Sequence, residues 1–334
     1  MKESGRIIIS QPSYGYGFRI LGCCADERRL VDWRAAFQGY ADCNECAEVN
    51  REAYLSAFTF GEEFRRHLEE TGSTRGYKGA CWSPWLWWDI DREDDVARAT
   101  RDARRLAAFI VARHRLDGSE LLIFFSGSKG YHIGLPTSVF SPEPSSTFHQ
   151  VARHFAEAIA DRASVEIDAG IYDRVRAFRA PNSRHPKTGL HKRRLDFDEL
   201  IHLKLGAILK TAAEPEPFDL PGPPDTSENA TTDWVAAVEH VERATKARQE
   251  RFSANGKTPT LNRRTLEFIR DGATVGDRHR LLFSAAANLA EFGCQSALAH
   301  ALLTEAGLDS GLSPKDVRRQ IECGIRDASE GNTT

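Results

Sequence analysis

The stretch TAAEPEPFDLPGPPDTSENATTD, Thr211 to Asp233, constrains this chain more than any other feature. Pro215, Pro217, Pro221, Pro223 and Pro224 each fix φ and remove a backbone donor, so no helix or central strand runs through them. Before the stretch, β-like and helical patterns alternate; after it the apolar period is almost wholly helical. The expected organisation is an α+β (mixed α/β) module over residues 1–210, a Pro- and acid-rich linker over 211–233, and a small all-α module over 234–334, compact over about 260–329. A length of 334 residues suits two domains.

The 41% hydrophobic content contains no uncharged apolar run of membrane-spanning length, so a membrane partner is not expected. The short apolar run in MKESGRIIIS reads as a first strand rather than a secretory signal, which makes the cytoplasm the expected compartment. Cys23, Cys24, Cys43, Cys46, Cys81, Cys294 and Cys323 are odd in number and unevenly spread, and do not read as a disulfide framework. A net charge of −3 offers no global attraction for nucleic acid, so any such attraction must be local.

Within the first module, RIIIS and GYGFRIL read as paired strands, and WLWWDID as a buried strand ending in acids. A crossover helix is expected over Glu93 to His114, then a strand LLIFF, a glycine turn SGSKG, a strand YHIGLP, a helix from Pro144 to Asp161, and a strand SVEID. Asp89 and Asp91 stand one residue apart, so period-two alternation sends both carboxylates to one face. Two like charges so close repel unless a cation lies between them, and hard divalent ions take carboxylate oxygens. An isolated D-x-D is more often a solvated strand end, but Asp168, ending a further predicted strand, offers a third carboxylate; Asp173 is its rival. Three converging acids can hold the two ions, Mg²⁺ or Mn²⁺, that nucleotidyl transfer uses.

SGSKGYHI gathers hydroxyls, Lys129 and His132 at a flexible turn, all able to donate to phosphate oxygens. It lacks the ending of a P-loop, and an ordinary hairpin explains it equally well. The strongest local signal is DRVRAFRAPNSRHPKTGLHKRRLD, which carries Arg174, Arg176, Arg179, Arg184, Lys187, Lys192, Arg193 and Arg194 with no acid among them. Such crowding calls for a polyanion, either a triphosphate or a nucleic-acid backbone.

Taken in order, WWDID, SGSKGYH, and EID followed by RAPNSRHPKTG resemble the motifs of the archaeo-eukaryotic primase superfamily, which includes bacterial, plasmid and phage primase-polymerases. The resemblance covers roughly residues 80–195. It implies a primase-polymerase catalytic core, metal binding by Asp89, Asp91 and Asp168, and nucleotide contacts from Ser126, Lys129, His132, Arg179, Ser183, His185 and Lys187. Ser128 stands where some relatives carry a basic residue. Arg174, Arg176, Arg184, Lys192, Arg193 and Arg194 are expected to hold a nucleic-acid backbone. The segments GDRHRLLFSAAANLAEFGC and GLSPKDVRRQIECGI resemble the C-terminal helical domain of many bacterial and phage primases, with Arg278, Arg280, Arg318 and Arg319 either facing a template or simply solvated.

The expected function is metal-dependent, template-directed synthesis or extension of primers on single-stranded DNA from NTP or dNTP; no motor motif is present, and a separate helicase is a candidate partner only. Gap-filling repair synthesis and a non-catalytic nucleic-acid-binding subunit are the alternatives. Cys23, Cys24, Cys43 and Cys46 are candidate ligands for a structural Zn²⁺, against free thiols. Trp82, Trp85, Trp87 and Trp88 fit either a base-stacking platform or a core strand, and Trp87 reads as core.

Overall fold

The computed structural model describes residues 14–254, 261–274 and 276–331. The expected RIIIS strand lies outside them. Two compact units divide the chain between Thr245 and Lys246.

The first unit runs β1 (Tyr16–Leu21), β2 (Arg29–Asp32), α1 (Trp33–Ala41), β3 (Ala53–Ser56), β4 (Thr59–Phe60), α2 (Glu62–Thr71), β5 (Cys81–Trp82), β6 (Trp85–Asp91) and α3 (Val96–His114). It continues through β7 (Leu122–Phe125), β8 (Gly130–Pro136), α4 (Phe148–Arg162), β9 (Ala177–Arg179), β10 (Arg193–Leu195), α5 (Phe197–His202), α6 (Leu205–Thr211) and most of α7 (Glu228–Ala254). One sheet has the order β5-β4-β1-β3-β9, with β2 also on β1; the other has the order β10-β7-β8-β6. Strands β6 and β7 both pair antiparallel with β8, so α3 is a crossover between two strands with β8 inserted between them. The fold is α+β.

Strand β6 is anchored by its tryptophans. Trp85, Trp87 and Trp88 are buried, and the Trp88 indole donates to Ala156 O of α4 at 3.0 Å. Trp82 lies half-buried and donates to Pro142 O. These four build core rather than a stacking platform. Val165–Asp168, expected as a strand, is an irregular segment held beside β6 by one backbone bond, Asp168 N to Asp89 O at 2.9 Å. Asp168 instead caps a turn of 3₁₀ helix, its Oδ1 accepting from Gly170 N at 2.8 Å, which stops any strand at that point.

The first unit extends past the Pro-rich stretch, which lies along it rather than spanning free space. Asn182, buried and with φ +55°, donates to Tyr40 O and Glu216 O and accepts from Glu216 N. Phe218 N donates to Ala41 O, and its ring packs edge-on to Phe124. Helix α7 then docks through Trp234, which stacks on Phe140, and Asp233, which accepts from Arg113, His114 and Arg162. Prolines stop secondary structure but do not prevent packing, so this segment extends the first unit by side-chain and carbonyl pairing instead of by a ladder.

The second unit holds α8 (Arg263–Asp271), α9 (Arg278–Glu291), α10 (Ser296–Asp309) and α11 (Pro314–Gly331) around Phe268, Leu282, Leu303 and Ile321. As the sequence predicts, Gly293 follows α9 with φ +70°, and Ser313 Oγ caps α11 by accepting from Asp316 N at 3.1 Å. Arg278 bonds Ser310 O and Gly311 O, Arg280 pairs with Asp277, and Arg319 with Asp316, so these three cations have structural partners within the unit. Among the described residues no helix is long and apolar enough to cross a membrane.

Candidate metal and phosphate site

In the β6/β8 ladder Asp89 faces His132 and Asp91 faces Gly130. Alternation puts Trp88 and Ile90 into the core toward one face and Trp87, Asp89 and Asp91 onto the other, where β9 supplies Phe178 and Arg179. Burial and the neighbouring carboxylates Asp91 and Asp168 push the Asp89 carboxyl well above its usual range, with Lys192 and Arg176 opposing. Burial also raises Asp91, against the pull of Lys129 and Arg179. Asp89 Oδ1 is buried without a hydrogen-bond partner. An orphaned carboxylate oxygen beside a second carboxylate suits a hard divalent cation.

Asp168 completes the acid set less directly. Its backbone is bonded to Asp89, but its Oδ1 is committed to Gly170. Among the described residues no three His, Cys, Asp or Glu side chains are gathered as a ready metal group, so Asp89 and Asp91 are the pair that fits an ion, with Asp168 beside them. The same holds for the candidate zinc ligands: Cys23, Cys24 and Cys46 are exposed, Cys43 is half-buried, and they are not brought together.

Gly130 is required by this arrangement. A Cβ there would collide with the Ile90 carbonyl oxygen and with Asp91 Oδ1. Gly130→Ala is therefore expected to displace Asp91 and lower divalent-metal affinity about tenfold or more, read by metal titration, since a shift of 1 Å in such a site costs that much or more.

The glycine turn is fixed to the basic segment: Thr188 Oγ1 donates to Gly127 O at 2.5 Å, and Gly127 has φ +86°. Ser126 is buried, its Oγ accepting from Gly130 N, so it shapes the turn. Lys129 lies 3.4 Å from Asp91 Oδ2 and 3.6 Å from Glu93, half-exposed at the mouth. His132 is buried against Phe178, with Nε2 3.5 Å from Asp89 Oδ1; burial, then Lys192 and Arg179, lower its pKa well below normal and keep it neutral. It backs Asp89 rather than meeting solvent.

The basic segment divides sharply. Arg174 bonds Tyr77 O and Ser146 O, Arg193 pairs with Glu216, and Arg194 donates to Leu121 O and Ile123 O. Lys192, expected on a nucleic-acid backbone, is 1% exposed, donates to Arg179 O at 2.8 Å and lies 4.3–5.3 Å from the rings of Phe178, Phe124 and Trp87. Ser183 is also internal, donating to Ala180 O and Ala53 O, so its hydroxyl cannot reach a nucleotide. Arg174, Lys192 and Arg194 share one cause: backbone carbonyls inside the fold need donors, and these cations supply them, whereas Arg193 meets a carboxylate and Ser183 closes its own turn. Arg176, Arg184 and Lys187 are exposed, with Arg184 also bonding Gly189 O. His185 is half-buried, its Nδ1 accepting from Lys187 N, its pKa lowered by burial and Arg179.

Arg179 carries the geometry the sequence could not show. Its Nη1 is buried without a partner, while Nη2 donates to Tyr54 Oη and lies 3.7 Å from Glu52. Tyr54 belongs to β3, the strand paired with β9, and Glu52 immediately precedes it; Tyr54 is 125 residues from Arg179, and no local pattern marks either residue.

No family model matches the chain, and no curated protein or solved structure does so either.

Proposed function

We propose that this protein is a metal-dependent nucleotidyltransferase that makes or extends primers on a nucleic-acid template. The observation that carries the reading is the half-buried pair Asp89 and Asp91, with a buried, orphaned oxygen on Asp89, placed beside Lys129 and the unpartnered Nη1 of Arg179. Carboxylates next to a lysine and to an arginine with one unpartnered nitrogen suit a substrate that brings both metal and phosphate.

Asp89 and Asp91, aided by Asp168, would hold the ion or ions. Bound there, a divalent cation polarises an attacking 3′-hydroxyl and neutralises triphosphate charge. Lys129, Arg179 and His185 grip the phosphates, and His132 keeps Asp89 in place as a neutral neighbour. Phe178 and Trp87 exclude water beneath the acids. Exposed Arg176, Arg184 and Lys187 hold the backbone of a template or primer. The ordered motifs WWDID, SGSKGYH and RAPNSRHPKTG support primer synthesis within this class.

The test is incubation with a single-stranded template, Mn²⁺ or Mg²⁺ and nucleotides, with and without a primer. Metal-dependent product is expected in both cases. Product only with a primer present would assign extension alone; none under either condition would overturn the proposal.

A further inference from the structure

Beside Arg179 stands an acid that a phosphate site has no electrostatic reason to contain. Glu52 immediately precedes β3, and Tyr54 within β3 is the direct ladder partner of Arg179 in β9. The Tyr54 hydroxyl donates to Glu52 Oε1 at 2.5 Å and accepts from Arg179 Nη2 at 3.1 Å. The Arg179 guanidinium carbon lies 5.0 Å above the Tyr54 ring centre. Glu52 is only 18% exposed, and among the described residues Tyr54 is the sole hydrogen-bond donor to its side chain, Arg179 adding an ion pair at 3.7 Å.

A carboxylate within reach of the arginine that grips phosphate repels a triphosphate, at a cost that grows as water leaves the site. That cost is offset if the same substrate brings a hydroxyl donor to the carboxylate. In a nucleotide, the hydroxyls covalently nearest the phosphates are those of the sugar. Carboxylates receive ribose hydroxyls elsewhere by the same chemistry, a charged acceptor for a neutral donor.

We propose, on the nucleotidyl-transfer reading, that Glu52 and Tyr54 form the sugar subsite. Glu52 accepts from the ribose 2′-hydroxyl, Tyr54 orients Glu52 and lies against the sugar, and Arg179 takes the adjoining phosphate. The subsite favours ribonucleotides, because a deoxyribose leaves the half-buried Glu52 oxygen without the donor it was placed to receive. A hydrogen bond to a charged group corresponds to a preference of about 10- to 100-fold.

Equilibrium binding of ATP and dATP to the full chain with Mn²⁺ tests this, measured by calorimetry for the natural protein, Glu52→Gln and Tyr54→Phe. The expected result is tighter ATP binding, a preference cut to about threefold or less in Glu52→Gln mainly through weaker ATP binding, and an intermediate preference in Tyr54→Phe. Equal weakening of both nucleotides in Glu52→Gln would show that Glu52 only steadies Arg179, and would overturn the subsite. Tighter binding of dATP than ATP by the natural protein, the mark of a Tyr54 ring that excludes the 2′-hydroxyl, would overturn it too. Both outcomes leave nucleotidyl transfer standing. Binding of neither nucleotide would remove that reading and the subsite with it.

Discussion

Replacing Asp89 and Asp91 together by asparagine is expected to reduce primer synthesis and extension by at least about a thousandfold, while making the metal-free protein more stable. On the proposed reading, the activity loss follows from removing the oxygens that would hold the divalent charge, a contribution of several kcal/mol to the transition state. The stability gain follows from burial: folding places Asp89 beside Asp91 and Asp168 and raises its pKa well above the usual carboxylate range. A carboxyl whose folded pKa is raised destabilises the folded state increasingly as pH climbs from the unfolded value through the folded one, so above the usual carboxylate range the pair opposes folding. Asparagine keeps the shape and removes the charge. Thermal melting with and without Mn²⁺ checks both halves. The natural protein should gain melting temperature on adding the ion, and the variant should start higher and gain nothing. Activity that survives the double substitution, or a lower metal-free melting temperature, would count against the site.

Asp233→Ala is expected to cost the first unit about 2–4 kcal/mol of stability, with little direct effect on chemistry. Asp233 Oδ1 accepts from Arg113 and Arg162 at 3.0 and 2.9 Å, and Oδ2 lies 3.2 Å from His114 Nε2. This one carboxylate thus clamps the start of α7 to α3 and α4. Removing it leaves a buried imidazole and two guanidinium groups without their acceptor; Arg113 and Arg162 are partly exposed, which keeps the loss below that of a fully buried triad. Burial alone would raise the Asp233 pKa, but the bonds from Arg113, Arg162 and His114 overcome it and bring the value to about 2. A lowered folded pKa contributes stability that is complete above the unfolded value near 3.8 and disappears as pH falls through about 2. The contribution is about 2 kcal/mol. Denaturant titrations at pH 6 and pH 2.5 should therefore show a clearly smaller gap between the natural protein and the variant at the lower pH than at the higher. An equal gap at both pH values would sink the clamp.

These two sites were not equally visible in the sequence. Asp89 and Asp91 were, because alternation along a tryptophan-rich strand places them on one face whatever lies opposite. The β6-α3-β7-β8 order was legible for the same reason, as were the capped and glycine-stopped helices of the second unit: period, cap and breaker act over a few residues. Asp233 was legible only as part of a polar, proline-rich stretch, since its three partners come from α3 and α4. The basic segment misled in a specific way. Crowded cations without acids pointed to a bound polyanion, yet Arg174, Lys192, Arg193 and Arg194 meet carbonyls, aromatic rings and Glu216. Charge counts do not record which backbone oxygens an irregular fold will bury without partners.

What the sequence determined by itself was a strand carrying two acids on one face, a glycine turn opposite them, and an α+β unit followed by a helical one. What only the tertiary structure decided was which charges are left free for a ligand. That choice depends on pairings between distant strands, above all β3 with β9, which set Glu52 and Tyr54 against Arg179 and leave its Nη1 without a partner. Local patterns fix the direction in which a side chain points; the contents of the space it points into are fixed only when the sheets close over it.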